Sequence, residues 1–233
     1  MKKSLKIKFI APDPHVMEVR EKPRPASEFV PSWWKEMPPY STEKFDLQPQ
    51  PTVTAKKCFP LLDGITAGYI VPLWADLLVT QTKDGPYVKW GTHVDVLEAW
   101  PYNQSSSYEI PEGFSKTVFK YFHGWIIETP KNYSCLITHP IGYPNLPIKT
   151  ITGIIDTDSL KTFANSPFVI KENFEGIIEK GTPMFQIIPF KRDNWKSEYE
   201  LMDSQTNHHN VEKLHSRIVS SYGRFLRKPK EFK

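Results

Sequence analysis

Apolar and polar residues alternate in short runs along most of this chain, and the runs stop at prolines, glycines and acidic turns. Lys6 to Ile10 sets Ile7 and Phe9 against Lys6 and Lys8 and predicts an opening strand, halted at Ala11-Pro12-Asp13-Pro14; a second short strand is expected at Val16 to Arg20. Leu61 to Ala67 predicts a helical turn. Tyr69 to Thr80 follows as a nearly continuous apolar strand in which Pro72 requires an edge or a bulge. Lys83-Asp84-Gly85-Pro86 predicts a hairpin turn with Tyr87 to Trp90 returning as a strand, and His93 to Ile110 reads as a polar loop. From Thr117 to Thr129 both alternating faces are partly apolar, which predicts a central strand. Further strands are expected at Tyr133 to Thr138, Lys149 to Asp156, Phe168 to Ile170, Phe174 to Ile178 and Pro183 to Pro189, the last two joined as a hairpin by Glu179-Lys180-Gly181.

Only the ends depart from this rhythm. Val211, Leu214, Ile218, Val219, Tyr222 and Phe225 recur at helical spacing and predict a C-terminal helix whose apolar stripe docks on the core or on a partner. Beyond it Arg224, Arg227, Lys228, Lys230 and Lys233 make a short basic tail, read as a solvated end. Near the other end, the proline-rich stretch from Lys22 to Pro51 reads as an arm laid over the domain, with Trp33 and Trp34 in a helical turn that Ser32 caps. Those tryptophans either anchor the arm through the large area they bury or form an aromatic platform for a ligand or partner. The expected organisation is an N-terminal strand and arm over residues 1–50, a β domain over 51–193, and a helix with basic tail over 194–233.

Composition strengthens the β reading. The 22 prolines against 11 glycines forbid long uninterrupted helices and favour short strands joined by rigid turns. At 233 residues the chain buries a core without metal or disulfide staples. Cys58 and Cys135 are far apart and read as buried thiols. A net charge of +4, spread along the chain, makes nucleic acid an unexpected partner. No run approaches the ~18 apolar residues of a membrane span and the N-terminus lacks a signal-like apolar core, so a soluble protein of the producing cell's cytoplasm is expected.

Candidate chemistry centres on Asp156 and Asp158, which project to the same side if the strand through Gly153-Ile154-Ile155 continues. Such a pair binds a divalent cation or supplies a general base; it equally makes an Asx-type turn that caps local amides. His123 and His139 flank one hairpin and are candidates to converge with Asp156, or else are satisfied core and loop histidines. Asp63 and Asp76 are a further pair that the fold can bring together. His93-Val94-Asp95 has the His-x-Asp spacing of a nonhaem iron site, but no second histidine with a supporting Arg-x-Ser follows. There is no nucleophile elbow, no phosphate-cradling glycine loop and no CxxC pair.

The order of motifs from Pro130 to Pro189, with a proline-led strand, a loop, GIIDTD and finally IIEKGTPMFQIIPF, resembles the β-clip core of the dUTP pyrophosphatase and dCTP deaminase superfamily. The full layout, with the Trp-rich arm, HGWIIETPKNYS, GIIDTDS and EKGTPMFQIIPFKRDNW, is similar to a family of uncharacterised proteins from tailed phages and bacteria. The first resemblance covers about a quarter of the chain and implies a mainly β fold with a β-clip core. It places Asp156 at the water-activating aspartate, Gly153 at the turn glycine before it and Gln186 at the glutamine of the last strand. His139-Pro140 stands where the family has its phosphate-binding Arg-Ser pair, Ser159 where a tyrosine stacks under the deoxyribose, and no glycine-rich C-terminal arm exists. A pyrophosphatase needs cations and amide donors on the leaving phosphates, and these are the parts replaced. The resemblance therefore implies a homo-oligomer, commonly a trimer, acting as a non-catalytic binding or assembly module, a phage particle or accessory component with phage structural proteins as partners. Two alternatives stay open. One is an enzyme on nucleotides with Asp156 as base and Asp158, with Asp156, holding Mg²⁺; the other is a sponge for a nucleotide-like ligand bound by Gly153, Asp158, His139, Gln186 and His123.

Overall fold

The computed structural model describes residues 5–41, 52–215, 223, 226–228 and 230–233. Among them the fold is mainly β, with fourteen short strands, β1 (Lys8–Ile10), β2 (Arg24–Pro25), β3 (Tyr69–Pro72), β4 (Leu77–Thr82), β5 (Gly85–Lys89), β6 (Leu97–Ala99), β7 (Phe114–Tyr121), β8 (Ile126–Glu128), β9 (Tyr133–Thr138), β10 (Ile148–Thr150), β11 (Gly153–Ile155), β12 (Ser166–Lys171), β13 (Gly176–Ile178) and β14 (Pro183–Lys191). The helices are α1 (Pro14–Glu18), α2 (Ser32–Glu36), α3 (Phe59–Ile65), α4 (Tyr102–Ser105) and α5 (Ser204–His215). Antiparallel sheets run in the orders β11-β9-β14-β3-β2, β10-β12-β7-β6 and β13-β4-β5, and β1 pairs with β8. No described helix is long and apolar enough to cross a membrane.

One apolar core lies between these sheets, with Val71, Leu73, Leu77, Val79, Phe168, Phe185 and Ile187 fully sealed in it. β7 is an interior strand, but the strand expected over Thr117 to Thr129 ends at Tyr121, and Ile126–Glu128 forms β8, paired with β1; β9 spans its expected residues. The stretch from Tyr69 to Thr80 is not one strand. It breaks at Leu73–Asp76, so that β3 joins the five-stranded sheet and β4 the three-stranded one. Pro72 lies opposite Pro183, beside a register shift between Pro183 and Phe185; neither proline offers a ladder N–H. The bend is stitched by the Tyr121 hydroxyl, which donates to Pro72 O (2.7 Å) and accepts from Trp74 N (3.0 Å). Leu73 N donates to Thr182 O, and Gly181 N donates back to Leu73 O.

That exchange also explains why β13 and β14 are not a hairpin. β13 pairs with β4 and β14 with β3 and β9, so Glu179–Thr182 carries the second strand across the same gap. Gly181 makes the turn at φ +88°, a region costly for other residues. Together β3–β4 and β13–β14 form a bent two-stranded ribbon shared by two sheets.

Other departures have local causes. Val16 to Arg20 is helical rather than extended because Asp13 accepts from Val16 N and Pro14 occupies the first turn of α1. α2 forms around Trp33 and Trp34 but has Pro31, not Ser32, as its N-cap, with no side-chain cap bond. The expected polar loop contains β6 and α4, and Lys149 to Asp156 splits into β10 and β11, which belong to different sheets. The proline-rich arm is anchored by Trp34, which is buried with Lys56 Nζ bonded to its carbonyl and set over its ring; residues 42–51 lie outside the described part.

The C-terminal tail is not a solvated end. Arg227 and Lys230 both grip Asp63 on α3, and Phe232 packs its ring edge against Tyr69. In α5 Val211 is exposed, while Ile218, Val219, Tyr222 and Phe225 of the expected stripe lie outside the described residues.

Candidate functional site

β11 ends at Ile155 opposite Cys135 of β9, and the chain then turns sharply, with Ser159 N and Leu160 N both donating to Asp156 O. Thr157 faces inward, where its hydroxyl meets Thr129 Oγ1 (2.7 Å) and Cys135 Sγ (3.4 Å). The strand does not continue through the pair: Asp156 and Asp158 flank Thr157 in a turn, Asp156 exposed and Asp158 largely covered, and Arg192 reaches both.

What lies between them is Arg192, the residue after β14. Its Nη1 donates to Asp156 Oδ1 (3.2 Å), Asp158 Oδ1 (3.0 Å), Ser134 Oγ (2.8 Å) and Tyr133 O (3.2 Å), and its Nη2 donates to Asp158 Oδ2. Ser134 Oγ adds a bond to Asp156 Oδ1 (2.7 Å), and Asn132 N donates to Asp158 Oδ2 (2.8 Å). Asn132 holds φ +70°, a conformation asparagine tolerates better than most residues, and its carbonyl accepts from Arg192 N. The guanidinium against Asp158 holds that carboxyl down to about pH 2, with further help from Asn132 N–H. An arginine fork on two carboxylates is a strong, planar, charge-assisted contact. It supplies the positive charge that a divalent cation would otherwise bring. Among the described residues no three His, Cys, Asp or Glu side chains group to hold a metal.

The remaining candidates lie elsewhere. His139 follows β9 at its far end from Ser134, five residues along, which at roughly 3.3 Å per residue sets it about 16 Å from the Asp156 end of that strand. Its Nδ1 accepts from Thr150 N (3.3 Å) and its Nε2 meets Tyr143 O (2.9 Å), so the proton sits on Nε2; burial lowers its pKa. His123 is sealed in the core with the same tautomer. Its Nδ1 accepts from Trp125 N (3.1 Å), its Nε2–H reaches Ala164 O (2.7 Å), and burial pushes its pKa down to about 4. The structure brings neither histidine to Asp156.

Gln186 is fully buried near the centre of β14. Its Oε1 accepts from Ile141 N (2.9 Å), and its Nε2 donates to Gly64 O (3.1 Å) and Ala67 O (2.6 Å). It thus ties the loop after β9 to the end of α3. Gly153 lies on an open edge with nothing within 4 Å of where a Cβ would stand.

Asp63 and Asp76 do not meet as a pair. Asp63 is held below the ordinary carboxylate range, chiefly by its bonds from Arg227, while Asp76 Oδ1 accepts from Lys180 N (2.6 Å). Cys135 is a buried thiol pushed up to about 11 by desolvation, and both cysteines are free. His93 and Asp95 are exposed. A cavity of about 400 Å³ opens instead beside α4, between Tyr102, Tyr108, Glu109, Lys116 and Glu172, and none of the candidate residues lines it.

Arg192, Ser134 and Asn132 went unnoticed in the sequence. The only signal for Arg192 was its basic charge directly after the closing strand. No family model, no curated protein and no solved structure matches the chain.

Proposed function

We propose that this chain is a non-catalytic binding or assembly module built on a β-clip-like core. One observation carries the reading: the acidic pair that would do chemistry is held by Arg192, which takes both oxygens of Asp158 and Oδ1 of Asp156, with Ser134 and Asn132 adding a bond to each. A general base needs a free lone pair facing substrate, and a magnesium ligand needs an unneutralised oxygen. Asp158, the expected magnesium ligand, offers neither while the guanidinium lies on it, and Asp156, the expected base, has its Oδ1 taken by Arg192 and Ser134. The other candidate groups are spent on the fold as well, Gln186 on three backbone groups and His123 on two. The bent ribbon of β3–β4 and β13–β14 supports the β-clip part of the reading. A phage particle or accessory setting rests on the sequence resemblance alone.

The test is an assay of the purified protein with each deoxynucleoside triphosphate and Mg²⁺, alongside its mass in solution by light scattering. Absence of pyrophosphate release and of deamination, with a mass above that of one chain, is the expected result. Turnover of any of these nucleotides that disappears in Asp156→Asn overturns the reading in favour of an enzyme. Stabilisation by a nucleotide without turnover, seen as a raised melting temperature, favours the ligand sponge.

A further inference from the structure

Past Arg192 the chain leaves the body. Residues 192–203 have no helix, strand, turn or bend, and fully extended at roughly 3.3 Å per residue they would reach about 40 Å. Within this reach Trp195, Ser197, Tyr199 and Leu201 fall on one side and Lys196, Glu198 and Glu200 on the other, the period of an amphipathic strand. Yet no strand pairs with it. Trp195 is 89% exposed, Tyr199 94%, and Leu201 is fully exposed. Both ends of the excursion are fastened, Arg192 in its clamp and the C-terminal residues on Asp63 and Tyr69.

An open edge exists to receive such a strand. β11 pairs only with β9, so its other side presents unpaired backbone groups, and Ile154 on it is 64% exposed. The arm cannot lie on its own β11 without folding back. β11 and β14 both run antiparallel to β9, so they point the same way, and β14 ends at Lys191 opposite Tyr133, beyond the point where β11 stops at Ile155 opposite Cys135.

Deepening the assembly reading, on which it rests, we infer that residues Trp195–Leu201 of one copy add as a strand to the β11 edge of a second copy. Trp195, Tyr199 and Leu201 then cover Ile154, and main-chain hydrogen bonds fill the edge. The areas fit. Two aromatic rings at roughly 150–250 Å² each, with Leu201, present on the order of 500 Å² per arm. Two reciprocal arms with their receiving surfaces bury at most on the order of 2,000 Å², against about 1,200–2,000 Å² for stable interfaces. Because every copy carries one arm and one edge, the contact forms a reciprocal pair, a ring, or an open filament where the rotation does not close.

The experiment is light scattering on the full chain at high micromolar concentration, with two variants. Trp195→Ser/Tyr199→Ser/Leu201→Ser removes the arm's apolar side; Ile154→Lys spoils the edge. Wild type should have the mass of two or more chains and each variant the mass of one, with circular-dichroism spectra unchanged and melting still cooperative, at a temperature lowered only by the lost association. Mixing the two variants should restore association, since one retains the edge and the other the arm. If wild type is oligomeric and either variant keeps its mass, this inference is overturned while the assembly reading stands. A monomeric wild type overturns both.

Discussion

Replacing Gln186 with leucine nearly preserves the shape of a side chain at the centre of the five-stranded sheet and removes every polar contact it makes. The glutamine is fully buried, and its three bonds reach Ile141 N–H, Gly64 O and Ala67 O. Each such bond contributes about 1 kcal/mol net, and an orphaned buried donor costs about 1–3 kcal/mol. Leucine regains part of this through apolar contact, so the expected loss is about 3 kcal/mol, a large share of an ordinary stability of roughly 5–15 kcal/mol. Urea unfolding followed by tryptophan fluorescence measures it: the midpoint should fall with the slope unchanged. Gln186→Glu sharpens the test. A glutamate would still accept from Ile141 N–H, but its other oxygen would face two carbonyls, which raises its folded pKa above the unfolded ~4.3. A raised folded pKa means that stability is fully present below the unfolded value and lost as pH rises through the folded one. The glutamate variant should therefore be weakest at neutral pH and recover towards pH 4. A leucine loss below about 1 kcal/mol, or a glutamate variant without that recovery, refutes the assignment of Gln186 as the tie between β14 and α3.

Three further outcomes are expected. His123 has its folded pKa depressed to about 4 against ~6.5 when unfolded, so stability is complete above pH 6.5 and fades as pH falls through 4, by roughly 3 kcal/mol; His123→Gln should flatten that slope in pH-dependent urea melts, and an unchanged slope would place its origin elsewhere. In Arg192→Met the carboxyl titration of Asp158, followed by carbon NMR, should move up from about 2 to the ordinary carboxylate range, whereas in wild type the linked stability persists above that range and is lost only as pH falls towards 2; a titration that stays near 2 contradicts the arginine clamp. Asp63→Asn removes the carboxylate that Arg227 and Lys230 share. Trypsin should then cut at the C-terminal basic residues several-fold faster with the core intact, and an unchanged cutting rate would mean that the tail is held by Phe232 and Tyr69 alone.

Those groups also mark where reading the residues in order reaches its limit. Asp156 and Asp158 were visible as a pair because they are two residues apart, although the turn they make, with Ser159 N and Leu160 N on Asp156 O, replaces the extended strand that the alternation suggested. Their partner lies 36 and 34 positions away, brought close only because β14 and β11 both pair with β9. His139 and His123 stood out for their chemistry, but their surroundings are set by strand packing and by loop carbonyls at Ala164 and Tyr143 that no pattern announces. Gln186 lies in an apolar run that reads as strand whatever its side chain bonds.

By itself the sequence determined the β character, most strand positions and the helical turn at Trp33 and Trp34, because alternation, proline and glycine act on the backbone within a few residues. It also carried the alternation of Trp195–Leu201, although no strand among the described residues pairs with it. Tertiary structure alone decided that Tyr69 to Thr80 bends between two sheets, that β13 and β14 part company, and that a basic tail closes on Asp63. It alone turned an acidic pair that looked like a metal or base site into an arginine-held clamp. The physical reason is common to all of these: each depends on strand pairing or ion pairing between distant segments, whose free energy is realised only once the sheets have assembled.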